Sequence, residues 1–169
     1  MIEPMDAGAP RTLVIIPAYN EEDSLGPVLT ELLRVVPAAD FFTGVFETAC
    51  GHGGVLTEIR VPKLGDSTGW AYIKYHRRAQ DWATVGVAAL VHRDNGSATG
   101  ASVALTNMGG TPLRALAVEE AVASGASPAD AAAHAAEGTE PSSDTAASAE
   151  FRMHLSRVLT KRALAEALA

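Results

Sequence analysis

Apolar and polar positions alternate most cleanly in the middle of the chain. Val55–Val61 (VLTEIRV) puts Val55, Thr57, Ile59 and Val61 on one face and Leu56, Glu58 and Arg60 on the other. That period of two predicts a strand, closed by Pro62. After a polar loop over Lys63–Gly69, Trp70–Arg78 reads as a second strand. Thr84–Arg93, Ala-rich and apolar, reads as a third, and Ala101–Asn107 as a fourth. The turn Asp94-Asn95-Gly96 joins the last two as an antiparallel hairpin. Downstream the period becomes helical. Thr111-Pro112 predicts a cap and first helical residue, with Leu113, Leu116, Ala117 and Ala121 facing inward. Ser127-Pro128 repeats the device for an Ala-rich helix running to about Glu137. Ala146–Leu168 reads as a long helix with Phe151, Leu155, Val158, Leu159 and Ala163 on one stripe.

The first forty residues follow a different plan. Thr12–Ile16 (TLVII) predicts a short buried strand. Ser24 can cap a helix in which Leu25, Val28, Leu29, Leu32, Leu33 and Val36 repeat at helical spacing, and Pro37 ends it. The character changes at Pro37–Asp40. The pattern therefore predicts an α+β protein: an antiparallel sheet of three to four strands packed with about three C-terminal helices, preceded by an N-terminal βα appendage. The expected division is 1–39 and 40–169.

Composition narrows the functional classes. A formal net charge of −7 opposes a binder of nucleic-acid backbone, which needs a basic face. A single cysteine, Cys50, excludes an internal disulfide and fits a reducing compartment. No apolar run approaches the roughly 18 residues that span a bilayer. The N-terminus lacks the basic region of a signal peptide, so the expected location is the cytoplasm. The five histidines show no metal-ligand spacing, and no metal site is expected. Cys50-Gly51-His52 lacks a third orienting group for nucleophilic chemistry.

Two resemblances carry further implications. The segment around PAYNEE, residues 17–22, on its strand and helix resembles the entry of family 2 glycosyltransferases over roughly 12–37. It would make Tyr19, Asn20 and Glu21 nucleotide-side residues. That family's metal-binding Asp-x-Asp and catalytic base have no counterpart here.

The larger resemblance rests on DFFTG at 40–44, LTEIRVP at 56–62, YIKYHRRAQDWATVGVAA at 72–89, ALTNMGGTPLRA at 104–115 and FRMHLSRVLTKRAL at 151–164. These residues are similar to the C-terminal domain of the FAD-binding medium subunit of the carbon monoxide dehydrogenase and xanthine dehydrogenase family. The resemblance implies a small α+β unit that covers part of an FAD. It implies partnership with a large molybdopterin subunit and a small iron–sulfur subunit, in a molybdenum hydroxylase that passes electrons through FAD to an acceptor. It implies that Lys74 lies near the flavin. The family's Gly-rich pyrophosphate loops are absent, and Gly51–Gly54 falls where the family has an ordinary turn, so the chain alone is expected to lack catalysis. Arg77, Arg78 and Asp81 are expected to pair with one another or with a partner. Trp70 and Trp82 are expected as core or interface anchors, and Arg114 as a tie between helix and sheet. Two alternatives remain: a glycosyltransferase fragment, or a stand-alone interaction domain. The latter predicts an exposed apolar patch around Trp70, Tyr72 and Trp82.

Overall fold

A computed structural model describes residues 35–52 and 54–169. The chain divides into two units, Met1–Val36 and Pro37–Ala169. The strand expected at Thr12–Ile16, the helix after it, and Tyr19, Asn20 and Glu21 lie outside the described residues.

The described chain opens with one helical turn, α1 (Ala38–Phe41), and a two-stranded ribbon, β1 (Phe42–Gly44) with β2 (Glu47–Thr48). The main sheet follows: β3 (Thr68–Tyr75), β4 (Val85–Asp94), β5 (Ser97–Thr106) and the short β6 (Leu113–Arg114), antiparallel in the order β3-β4-β5-β6. The hairpin between β4 and β5 turns at Asn95 and Gly96, both at positive φ (48° and 81°), the geometry for which an Asn-Gly pair is suited. Three helices complete the chain: α2 (Leu116–Ala123), α3 (Pro128–Ala132) and α4 (Ala149–Leu168).

Register decides which face each strand residue takes. Ala71 pairs with Ala89 and Ala89 with Val103; Ile73 pairs with Val87 and Val87 with Leu105. This face carries the buried side chains and is covered by helices. α4 lies along β3 and β4, α2 along β5, and α3 packs on α4. Small residues let α4 come close. A Cβ built on Gly69 would lie 1.7 Å from the carbonyl oxygen of Ala167, so β3 and the end of α4 meet backbone to backbone.

The α4 helix is buried along Arg152, Leu155, Ser156, Leu159, Ala163 and Leu164. Phe151, expected inside, is 42% exposed and meets the ring of Tyr75 edge to face, centroids 6.2 Å apart. The fully buried side chain beside it is Arg152. Its Nη1 donates to the Thr84 carbonyl, its Nε to the Ser142 carbonyl at 3.1 Å, and its Nη2 to Asp144 Oδ2 at 2.6 Å. A hydropathy stripe treats arginine as outward. Here three acceptors gathered from Thr84, just before β4, and the 142–144 loop satisfy its donors and turn the helix to bury it.

Three further expectations are corrected. Val55–Val61 is not a strand: residues 54–65 are irregular, and Val55, Leu56, Ile59 and Val61 are each more than half exposed. A strand needs a neighbour for its N–H and C=O groups, and none of the described strands pairs with it. Thr111-Pro112 does not start the helix, because Leu113 and Arg114 first pair with Leu105 and Ala104 as an edge strand. The helix then starts after Ala115 without a side-chain cap. Third, α3 ends at Ala132 and the chain continues in turns to Gly138. The Ser127-Pro128 start is as predicted: Ser127 Oγ accepts from the Asp130 N–H at 3.2 Å and Pro128 opens the helix.

Candidate functional site: the open face of the sheet

Helices cover one face of the sheet, and among the described residues no helix packs on the opposite face. Its residues follow from the register. Trp70, Leu90 and Ser102 form one row, Tyr72, Ala88, Ala104 and Arg114 the next, and Lys74, Gly86 and Thr106 the third. Lys74, Tyr72 and Trp70 thus stand at alternate positions of β3, all exposed. Trp70 is 66% and Trp82 84% exposed, so neither is a core anchor.

The floor between these rows is built of small side chains. Ala88, Leu90, Ser102, Ala104 and Arg114 line a hollow of about 150 Å³. That is smaller than the roughly 300–1,000 Å³ of an enclosing ligand site, so the face is a shallow platform, not an enclosing pocket. Gly86 keeps the third row low. A Cβ there would sit 2.6 Å from Thr106 Oγ1 and 3.3 Å from the Tyr72 hydroxyl. Thr106 Oγ1, beside Gly86, is buried and has no hydrogen-bond partner among the described residues.

At the far edge Arg114 is held rigidly. Glu119 Oε1 accepts from Arg114 Nε at 2.7 Å and from the Val103 N–H at 2.8 Å, and Glu119 Oε2 accepts from Arg114 Nη2 at 2.6 Å. The bidentate bond to Glu119 raises the pKa of the guanidinium. Arg114 also reaches Ser102 Oγ at 3.3 Å, so it joins β6, β5 and α2, as expected of it.

A second hollow, of about 450 Å³, is lined by Arg77, Arg78, Asp81, Thr145 and Ala146. Within it Asp81 accepts from the Arg78 N–H and from Arg78 Nε at 3.2 and 3.3 Å, while Arg77 turns away to the Thr145 carbonyl. The charged knot therefore closes partly on itself. The turn expected near Cys50 is present, with the Gly54 N–H donating to the Gly51 carbonyl at 2.8 Å.

Comparison with known proteins places this architecture. The CO dehydrogenase flavoprotein C-terminal domain family matches residues 70–167, from the start of the sheet to the end of α4. The chain belongs to this family. It is 34% identical over 135 residues to the carbon monoxide dehydrogenase medium chain of Hydrogenophaga pseudoflava, covering 78% of this chain and 47% of that protein. It is 30% identical to a xanthine dehydrogenase FAD-binding subunit of Escherichia coli, covering 81% and 49%. Among solved structures, carbon monoxide dehydrogenase from Hydrogenophaga pseudoflava lacking the Mo-pyranopterin moiety superposes with a TM-score of 0.74 at 38% identity, over 79% of this chain and 48% of that one. The chain thus spans about half the length of the curated relatives it matches. The relatives found give no support to the glycosyltransferase resemblance. Among the described residues, no helix of this flavoprotein-family chain is long and apolar enough to cross a membrane.

Sequence reasoning reached Lys74 through the resemblance alone. It missed the platform made by Gly86, Ala88 and Ala104, because small residues in an apolar strand look like ordinary core until the register shows which face they take.

Proposed function

We propose that this chain supplies the flavin-covering portion of an FAD-binding medium subunit in a molybdenum hydroxylase. The observation that carries the reading is the open platform, with Lys74 on it, in a domain of the flavoprotein family. FAD would pass electrons from iron–sulfur clusters of a small subunit to an external acceptor, after substrate oxidation on a large molybdopterin subunit. The platform fits one side of such a ring: small side chains floor it and Trp70 and Tyr72 flank it. Lys74 would place a cation beside the ring and favour its electron-rich reduced form. Gly86 leaves room for Thr106 and the Tyr72 hydroxyl beside it. In this reading the chain alone is not catalytic, and it works in the cytoplasm with both partner subunits. The exposed Trp70, Tyr72 and Trp82 that a stand-alone interaction domain predicts are equally what a platform covered in the assembly requires.

The test places residues 68–169 in the Hydrogenophaga pseudoflava medium chain in place of its matching region. Lys74→Met in that hybrid should lower the flavin midpoint potential while FAD content stays the same. An unchanged potential removes Lys74 from the flavin, and failure of the hybrid to retain FAD removes the platform.

A further inference from the structure

We infer that Asn95 is a site of spontaneous covalent modification. Its side-chain amide is lost to attack by the Gly96 backbone nitrogen, which leaves aspartate or isoaspartate at the tip of the β4–β5 hairpin. The inference stands apart from the proposed function, because the tip lies at the end of the sheet away from the Lys74 row.

The fold itself selects the susceptible pair. A two-residue turn of this kind needs positive φ at both central positions, and Asn95 and Gly96 sit at 48° and 81°. Glycine meets that need without strain, and it has no side chain to shield its own nitrogen. Both residues are exposed, and a Cβ built on Gly96 would find nothing within 4 Å. Among the described residues no hydrogen bond holds the Asn95 side chain or the Gly96 N–H. The pairing behind the turn is short. The register shifts between His92 and Arg93, so the tip beyond that irregularity is held by two residue pairs, Arg93 with Ala98 and Asp94 with Ser97. A turn tied by so little opens locally while the buried sheet stays intact.

Asn107 shows the opposite arrangement. It too has a positive φ, 61°, but its Nδ2 donates to the carbonyls of Ala83 and Thr84 at 3.0 and 3.3 Å, and the fully buried Met108 follows it. At Asn95 the reaction needs only water. The Gly96 nitrogen bonds to Asn95 Cγ and gives up its proton, the Cγ–Nδ2 bond breaks, and ammonia leaves. Water then opens the five-membered imide at either carbonyl, giving aspartate or isoaspartate. Either product puts a new negative charge beside Asp94. Isoaspartate also routes the main chain through the former side chain. That extra backbone carbon, in a turn of two residues, breaks the pairing of Asp94 with Ser97.

The test holds the full folded chain in mildly alkaline buffer, which favours loss of the Gly96 amide proton, and follows its peptides by mass spectrometry. The expected result is a gain of about one mass unit at Asn95. It should appear at least about 10-fold faster than at Asn107, where no glycine follows. An isoaspartyl carboxyl methyltransferase with labelled S-adenosylmethionine should then methylate the aged chain at residue 95. Gly96→Ala should slow the gain about 10-fold or more, by shielding the nitrogen. That variant strains a position at positive φ, so Asn95→Gly, which suits the turn, is the second. It should melt as the parent does and accept no methyl group in the hairpin. An unmodified Asn95 in the folded chain overturns the inference. So do equal rates at Asn95 and Asn107, an equal rate in a folded Gly96→Ala chain, and modification seen only in denaturant. Mass gain without methyl acceptance, or methyl acceptance in the hairpin that persists in Asn95→Gly, overturns it as well.

Discussion

Arg152 shows how much one residue can hold. Its guanidinium is fully buried and joins α4, the first residue before β4 and the 142–144 loop. Arg152→Ala should cost about 3 kcal/mol, because a cavity opens, the Ser142 carbonyl loses the Arg152 donor and the Thr84 carbonyl keeps only Asn107 Nδ2. In a domain of this size that lowers the melting temperature by on the order of 10 °C or more, which calorimetry would record. Its partner Asp144 accepts from the Ala147 and Ala146 N–H groups as well. Those two backbone bonds, then Arg152, hold its carboxyl below the usual carboxylate range. The sign follows from linkage. A carboxylate depressed in the folded state stabilises fully above its unfolded pKa, near about 4, and that contribution fades as pH falls through the lower folded value. The urea midpoint should therefore drop on acidification across that window, and Asp144→Asn should flatten that part of the profile.

At the scale of elements, the packing of β3 against α4 sets the tightest constraint. Gly69→Ala would drive a methyl into the Ala167 carbonyl, and a backbone atom cannot rotate away. The expected loss is at least about 3 kcal/mol, the upper part of the range for overpacking, with Gly65→Ala silent as the matched control, since nothing lies within 4 Å of its Cβ. Denaturant unfolding of the two variants would separate them. The start of α4 is the other local device. Ser148 Oγ accepts from the Phe151 N–H at 3.2 Å and Ser143 Oγ from the Ala149 N–H at 2.9 Å, so two orphan donors of the first turn are satisfied. Ser148→Ala should cost about 1 kcal/mol by the same measurement.

For the whole of the described unit, stability is unevenly spread. The sheet and its helices from Thr68 onward share one core, and residues 54–65 are exposed and irregular. Trypsin should therefore cut first at Arg60 and Lys63, leaving a resistant product that runs to Ala169. Mass spectrometry would identify its first residue. Earlier cleavage within 77–93 would contradict this account of where the core lies.

The sequence by itself determined the local elements. Apolar runs marked β4 and β5, the Asn95-Gly96 turn joined them, Ser127-Pro128 set the start of α3, and the scattered motifs from 72 to 164 indicated the family. These features are legible because each is written in neighbouring residues: a period, a cap, a turn that needs positive φ. Tertiary structure decided the rest. Whether Val55–Val61 becomes a strand depends on a neighbour, which no local pattern supplies. Whether Arg152 or Phe151 faces inward depends on three acceptors outside the helix, one of them, Thr84, distant in sequence. The platform under Lys74 exists only because pairing places Gly86, Ala88 and Ala104 on the face that the helices leave open. Hydrogen-bond partners and sheet faces are properties of chain segments brought together, and a period along one segment cannot encode what lies across from it.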